Sequence, residues 1–114
     1  MIEKADNNVS AGDRELLAEC KAVIREVAPE AELILYGSRA RGDAHEDADY
    51  DLLVLVDRNV DMALERTIVG RLVPLEMRTG RALAVLIYNR AQWDSALYRA
   101  MPLHQNVTRE GVTI

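Results

Sequence analysis

The chain predicts an α/β fold of the α+β kind, a small β-sheet flanked by helices. Three observations predict it. The apolar runs Glu32–Tyr36, Tyr50–Val56 and Ala82–Tyr88 have the length of strands. Two longer stretches, near residues 11–28 and 61–79, repeat apolar residues at three and four, which puts them on one face of a helix. The long connection between the second and third runs permits a helical crossover, so a sheet with helices packed on it follows. At 114 residues this reads as one domain, 1–114, with a real core and no room for a second.

The elements follow in order. Residues 1–9 are polar and predict a flexible N-terminus. Ser10, with Asp13 three positions on, resembles a capping box. A helix should run from there to about Ala28, with Leu16, Leu17, Cys20, Val23, Ile24 and Val27 as its buried stripe, until Pro29 stops it. The first strand, Glu32–Tyr36, leads into a Gly-Ser turn and a charged loop, and Tyr50–Val56 is the second strand. After a turn over Asp57–Asp61, Asp61 caps a second helix reaching about Thr79. Met62, Ile68, Val69, Leu72, Val73, Leu75 and Met77 form its apolar stripe. Pro74 should kink or split it, because a continuous helix would bear about 3 kcal/mol. Gly80 ends it. The unbroken apolar run Ala82–Tyr88 predicts a strand buried on both faces. A turn at Asn89–Gln92 precedes a helix over Trp93–Ala100, which Pro102 breaks. The tail, 102–114, carries Val107, Val112 and Ile114 around Gly111 and predicts a short edge strand or a docked arm.

Composition narrows the function. A net charge of -5 opposes broad DNA or RNA binding through phosphate contacts, although it leaves room for a single nucleotide held through a metal. Phenylalanine is absent, so Leu, Val, Ile and Ala must build the core. The single cysteine, Cys20, reads as a small buried hydrophobe and can form no disulfide within the chain. That suits a reducing compartment, and with neither a signal peptide nor a long apolar span the expected location is cytoplasmic, away from membranes.

The stretch Gly37–Asp51 carries the chemistry. Gly37 follows a strand, where a positive φ lets a phosphate approach the backbone. Ser38 offers a hydroxyl and an N–H at the start of a helical turn, and Gly42 ends that turn. Arg39 and Arg41 are permanent cations able to meet phosphate oxygens. Asp49 and Asp51 then open the second strand. Side chains two positions apart in a strand share a face, with Cα atoms roughly 6.5–7 Å apart. Two carboxylates so placed repel each other, and a divalent cation between them removes the penalty. Magnesium takes one or two carboxylates together with substrate phosphates and water. His45 lies inside the same stretch and reads as an exposed loop histidine in preference to a metal ligand or acid/base group.

The pattern Gly37-Ser38, ten residues, then Asp49-x-Asp51 resembles the signature of the minimal nucleotidyltransferases within the DNA polymerase β-like superfamily. The neighbouring Ala40-Arg41-Gly42 and Asp51-Leu52-Leu53-Val54 fit as well. The resemblance implies a nucleotidyltransferase (polymerase β palm-like) fold, whose small β-sheet is mixed, with ATP or another NTP as donor and Mg2+ as metal. By that likeness Asp49 and Asp51 are catalytic and hold the magnesium. Gly37 and Ser38 cradle the β- and γ-phosphates, with Arg39 and Arg41 as further nucleotide contacts. It also implies a HEPN-domain protein as partner, with this chain as the antitoxin, and leaves a homo-oligomer open. Active members carry a third carboxylate on a neighbouring strand, whereas Ala82-Leu83-Ala84-Val85-Leu86-Ile87 contains no acid. Asp57 is about 20 Å along the strand from Asp51, too far to serve. Either another residue or a partner completes the site, or the chain is a catalytically impaired nucleotide-binding or partner-binding module. Position 48 is alanine where serine is common in the family.

Overall fold

The computed structural model describes residues 3–4 and 9–114. The flexibility expected of residues 1–9 concerns mostly positions outside these; Glu3–Lys4 form a short strand, β1. The remaining elements are α1 (Ala11–Val27), β2 (Glu32–Tyr36), α2 (Ser38–Arg41), β3 (Tyr50–Val56), α3 (Met62–Thr79), β4 (Leu83–Asn89), α4 (Arg90–Trp93), α5 (Ala96–Arg99), α6 (Pro102–Glu110) and β5 (Val112–Thr113).

The sheet is mixed, in the order β1-β5-β2-β3-β4. β2 runs antiparallel to β3 and β5, while β3 and β4 are parallel and joined over α3. Strand alternation divides the core in two. Leu33 and Leu35 of β2 and Tyr50, Leu52, Val54 and Val56 of β3 meet α1 and α3 through Leu17, Cys20, Ile24, Ile68 and Leu72. On the opposite face Ile34, Leu53 and Leu55 meet Trp93 and Val107. Cys20 is fully buried, and burial pushes its thiol pKa up to about 11, so it packs as a hydrophobe.

Four expectations need correction. The strand at residues 83–89 is not buried on both faces. Among the described residues β4 pairs only with β3 and forms the edge of the sheet, with Ala84 exposed and Leu86 39% exposed. An apolar run reports what a strand can bury, not what covers it. The helix expected over Trp93–Ala100 is two single turns, because Ser95 caps a new turn through its Oγ, which accepts from Tyr98 N–H. Pro102 does break the segment: Met101 before it is extended, and Pro102 opens α6, where its missing N–H is harmless. β5 lies between β1 and β2 rather than at the edge.

Pro74 does not split α3, which is one element from Met62 to Thr79. Pro74 and Gly70, the residue one turn earlier, both face solvent, so water can serve the Gly70 carbonyl that loses its donor. Pro74→Ala should therefore stabilise the protein by about 2 kcal/mol, a rise in melting temperature of roughly 8 °C in a thermal scan. An unchanged melting temperature would mean the helix accommodates the ring at no cost. Among the described residues no helix is long and apolar enough to cross a membrane.

Candidate nucleotide site

The site forms where β2 ends against β3. In the β2–β3 register Tyr36 lies opposite Asp51, and the chain turns at Gly37 directly afterwards. Gly37 has φ 78, and a Cβ there would lie 2.3 Å from Asp51 Oδ2. Glycine is thus required twice, by the backbone and by the carboxylate that uses the space. Ser38 opens α2, and Gly42 closes it at φ 83 with its N–H donating to the Ser38 carbonyl.

Asp51 lies half-buried on the face of β3 that also carries Leu53 and Leu55. Asp49 is exposed, just ahead of the strand. Burial raises the Asp51 pKa first, the charge of Asp49 raises it further, Arg41 opposes, and Glu110 adds a smaller upward push. The two aspartates thus sit close enough to repel. A pair of hard oxygen donors with unrelieved charge fits magnesium, which keeps water and substrate phosphate in its remaining positions. Among the described residues no group of three or more His, Cys, Asp or Glu is arranged to hold a metal ion. The residue beside Asp51 on β4 is Ala84, so the neighbouring strand supplies no third acid.

Arg39 and Arg41 part company. Arg41 is exposed and reaches Asp43 and Glu110. Arg39, expected among the phosphate contacts, points inward and is only 9% exposed. Its guanidinium donates to the Glu46 carbonyl at 2.9 Å and to the Ala48 carbonyl at 2.8 Å. It also lies 3.6 Å from Asp13 and 4.3 Å from the centre of the Tyr50 ring. The loop before Asp49 is therefore fastened from within at Glu46 and Ala48. Nη2 donates to both carbonyls and Nε adds a bond to Ala48 at 3.3 Å, while Nη1 is the nitrogen that faces Asp13, a spread of donors that a planar guanidinium provides.

Asp13 completes this buried cluster. Ser10 caps α1 by accepting the Asp13 N–H at 3.1 Å, but the Asp13 carboxylate turns into the core, and its Oδ1 accepts from the Tyr50 hydroxyl at 2.5 Å. Arg81 donates to the same hydroxyl at 2.7 Å. Burial, then the hydrogen bond to Asp13, pushes the Tyr50 pKa up to about 12, so the phenol stays protonated and donates. No motif in the sequence marks this cluster; its only trace was Asp13 at the third position of a capping box. The sequence also gave no sign of Glu110, which the last turn of α6 brings to the Gly37 N–H. His45 is exposed, and His104 stacks on Trp93 with ring centres 4.4 Å apart.

Comparison with known proteins agrees with this architecture. A toxin–antitoxin crystal structure with AMP-PNP contains a chain that superposes with a TM-score of 0.60 at 18% identity, over 89% of this chain and 71% of that one. A minimal nucleotidyltransferase structure gives 0.56 at 24% identity, over 89% and 94%. A tri-AMPylated Shewanella oneidensis HEPN toxin in complex with its MNT antitoxin gives 0.56 at 16%, over 88% and 69%. These likenesses concern the fold. No curated protein matches the chain. The nucleotidyltransferase domain model matches residues 17–94, a span that takes in the Gly37 turn, both aspartates and the buried Arg39 cluster apart from Asp13, and with more than half of its length matched the chain belongs to the nucleotidyltransferase domain family.

Proposed function

We propose that this protein is a magnesium-dependent nucleotidyltransferase that moves AMP from ATP to a hydroxyl on a HEPN-domain toxin, acting as its antitoxin in the cytoplasm. The observation that carries this reading is the pair Asp49 and Asp51 set against the Gly37 turn, with Asp51 raised in proton affinity by burial and by its neighbour. The solved complexes with AMP-PNP and with an AMPylated HEPN toxin support the donor and the partner class.

Magnesium, when bound, neutralises charge on the triphosphate and polarises the α-phosphoryl group. Asp49 and Asp51 supply its protein oxygens. Gly37 offers its N–H to the phosphate chain, Ser38 its hydroxyl, and Arg41 its guanidinium. Arg39 serves by holding the loop that presents Asp49. The acceptor oxygen bonds to the α-phosphorus, the bond to the pyrophosphate leaving group breaks, and the hydroxyl proton passes to solvent.

A second reading has its own observation. Ala84 stands beside Asp51 where an acid would complete the carboxylate set, which favours a module that binds nucleotide or partner without turnover. Incubation with a co-encoded HEPN protein, α-labelled ATP and magnesium separates the two. Label should move to the partner protein and stop moving when magnesium is chelated. Tight nucleotide binding with no label transferred would instead establish the module.

A further inference from the structure

Glu110 ends α6, and its carboxylate lies across the Gly37 turn. Oε1 accepts the Gly37 N–H at 3.1 Å and an Arg41 N–H at 3.2 Å, and Oε2 accepts from the same Arg41 nitrogen at 3.1 Å. The Glu110 side chain is only 13% exposed, against 46% for Arg41. A backbone N–H and a guanidinium converging on one carboxylate are the donors that bind a phosphate oxygen. Both Glu110 oxygens are already engaged by Arg41, so the contacts are those of a bound anion rather than of a waiting metal ligand. The placement also sets a further negative charge near Asp51, and Arg41 compensates for it locally.

The backbone around Glu110 is fixed, so the side chain can leave without moving α6. Gly111 N–H donates to the Val107 carbonyl at 2.7 Å, Val107 is fully buried, and β5 pairs with β2 directly afterwards. Rotation of the Glu110 side chain alone would free the Gly37 N–H and Arg41 together.

We propose that Glu110 is an internal anion seated on the phosphate-binding donors, and that it sets nucleotide affinity because a triphosphate must displace it. This rests on the functional reading above, in which Gly37 and Arg41 contact the triphosphate. A ligand with β- and γ-phosphates competes with the carboxylate for these donors, and a nucleoside monophosphate does not. Glu110 therefore tempers affinity for polyphosphate ligands in particular.

The test is calorimetric titration of the full chain with Mg-ATP and with Mg2+ plus AMP, for wild type, Glu110→Gln and Glu110→Ala. If the open arrangement is about a tenth of the wild-type population, removing the internal anion tightens ATP binding about tenfold. The AMP affinity should stay unchanged, because AMP has neither a β- nor a γ-phosphate to compete for these donors, so the preference for ATP widens. Glu110→Gln keeps an acceptor for the Gly37 N–H, so a folding loss in Glu110→Ala leaves the comparison intact. The Gly37 amide proton resonance, read without nucleotide, should move in Glu110→Ala. Wild type that binds ATP while both variants bind it equally or more weakly overturns the inference and leaves the nucleotide site standing. No ATP binding by any of the three overturns the site itself, and the inference with it.

Discussion

Asp51→Ala is expected to abolish nucleotidyl transfer, by about 10³-fold or more, while the protein stays folded. The loss follows from the number of ligands. With one of two carboxylates gone, Asp49 alone must hold the cation, and forfeiting about 4 kcal/mol of charge stabilisation is a thousandfold in rate. The fold should survive because Asp51 is only half-buried near the start of β3, and its charge is held there against burial and against Asp49. A carboxyl whose pKa is raised on folding adds stability only while protonated, below its unfolded value, and that stability is lost as pH rises through the folded value. At neutral pH without divalent cations, Asp51→Asn should therefore melt a few degrees higher than wild type. Magnesium with ATP should stabilise wild type and leave the Asn variant unmoved. Calorimetry and labelled transfer check both halves, and an Asp51→Ala enzyme with wild-type turnover would end the assignment.

Arg39→Ala should be the most damaging change to the fold itself, costing about 3 kcal/mol and lowering the melting temperature by roughly 10–15 °C. The substitution strips the Glu46 and Ala48 carbonyls of their donor and leaves the buried Asp13 carboxylate with the Tyr50 hydroxyl and an Arg81 nitrogen 4.0 Å away. Loss of ATP affinity should accompany the loss of stability, because Asp49 directly follows Ala48. Arg39→Lys should restore little, since a single ammonium cannot hold both carbonyls, face Asp13 and lie flat over the Tyr50 ring at once. Thermal scans with parallel ATP titrations read both effects. A variant melting within 2 °C of wild type, on the order of the noise for a fraction of a kcal/mol, would show the cluster to be dispensable.

These two residues also show where sequence reading reaches and where it stops. Asp51 was legible because its message is local: a period of two places it on the same side as Asp49 and opposite Tyr50, whatever the rest of the chain does. The Gly37 turn was legible for the same reason, since a positive φ after a strand nearly demands glycine. Arg39 was misplaced because two arginines two apart on a short turn look alike in sequence. Only the packed α1, with Asp13 on its inner face, draws one of them inward.

Local backbone physics thus accounts for the strands, the long helices and the aspartate pair, all of which depend on neighbours a few positions away. Packing over long separations accounts for the rest. Gly37 and Glu110 are 73 positions apart, and their contact exists because Val107 is buried against the sheet and carries the end of α6 to the turn. β4 became an edge for a related reason: its apolar residues record tolerance for burial, while strand order settles whether anything lies beyond them.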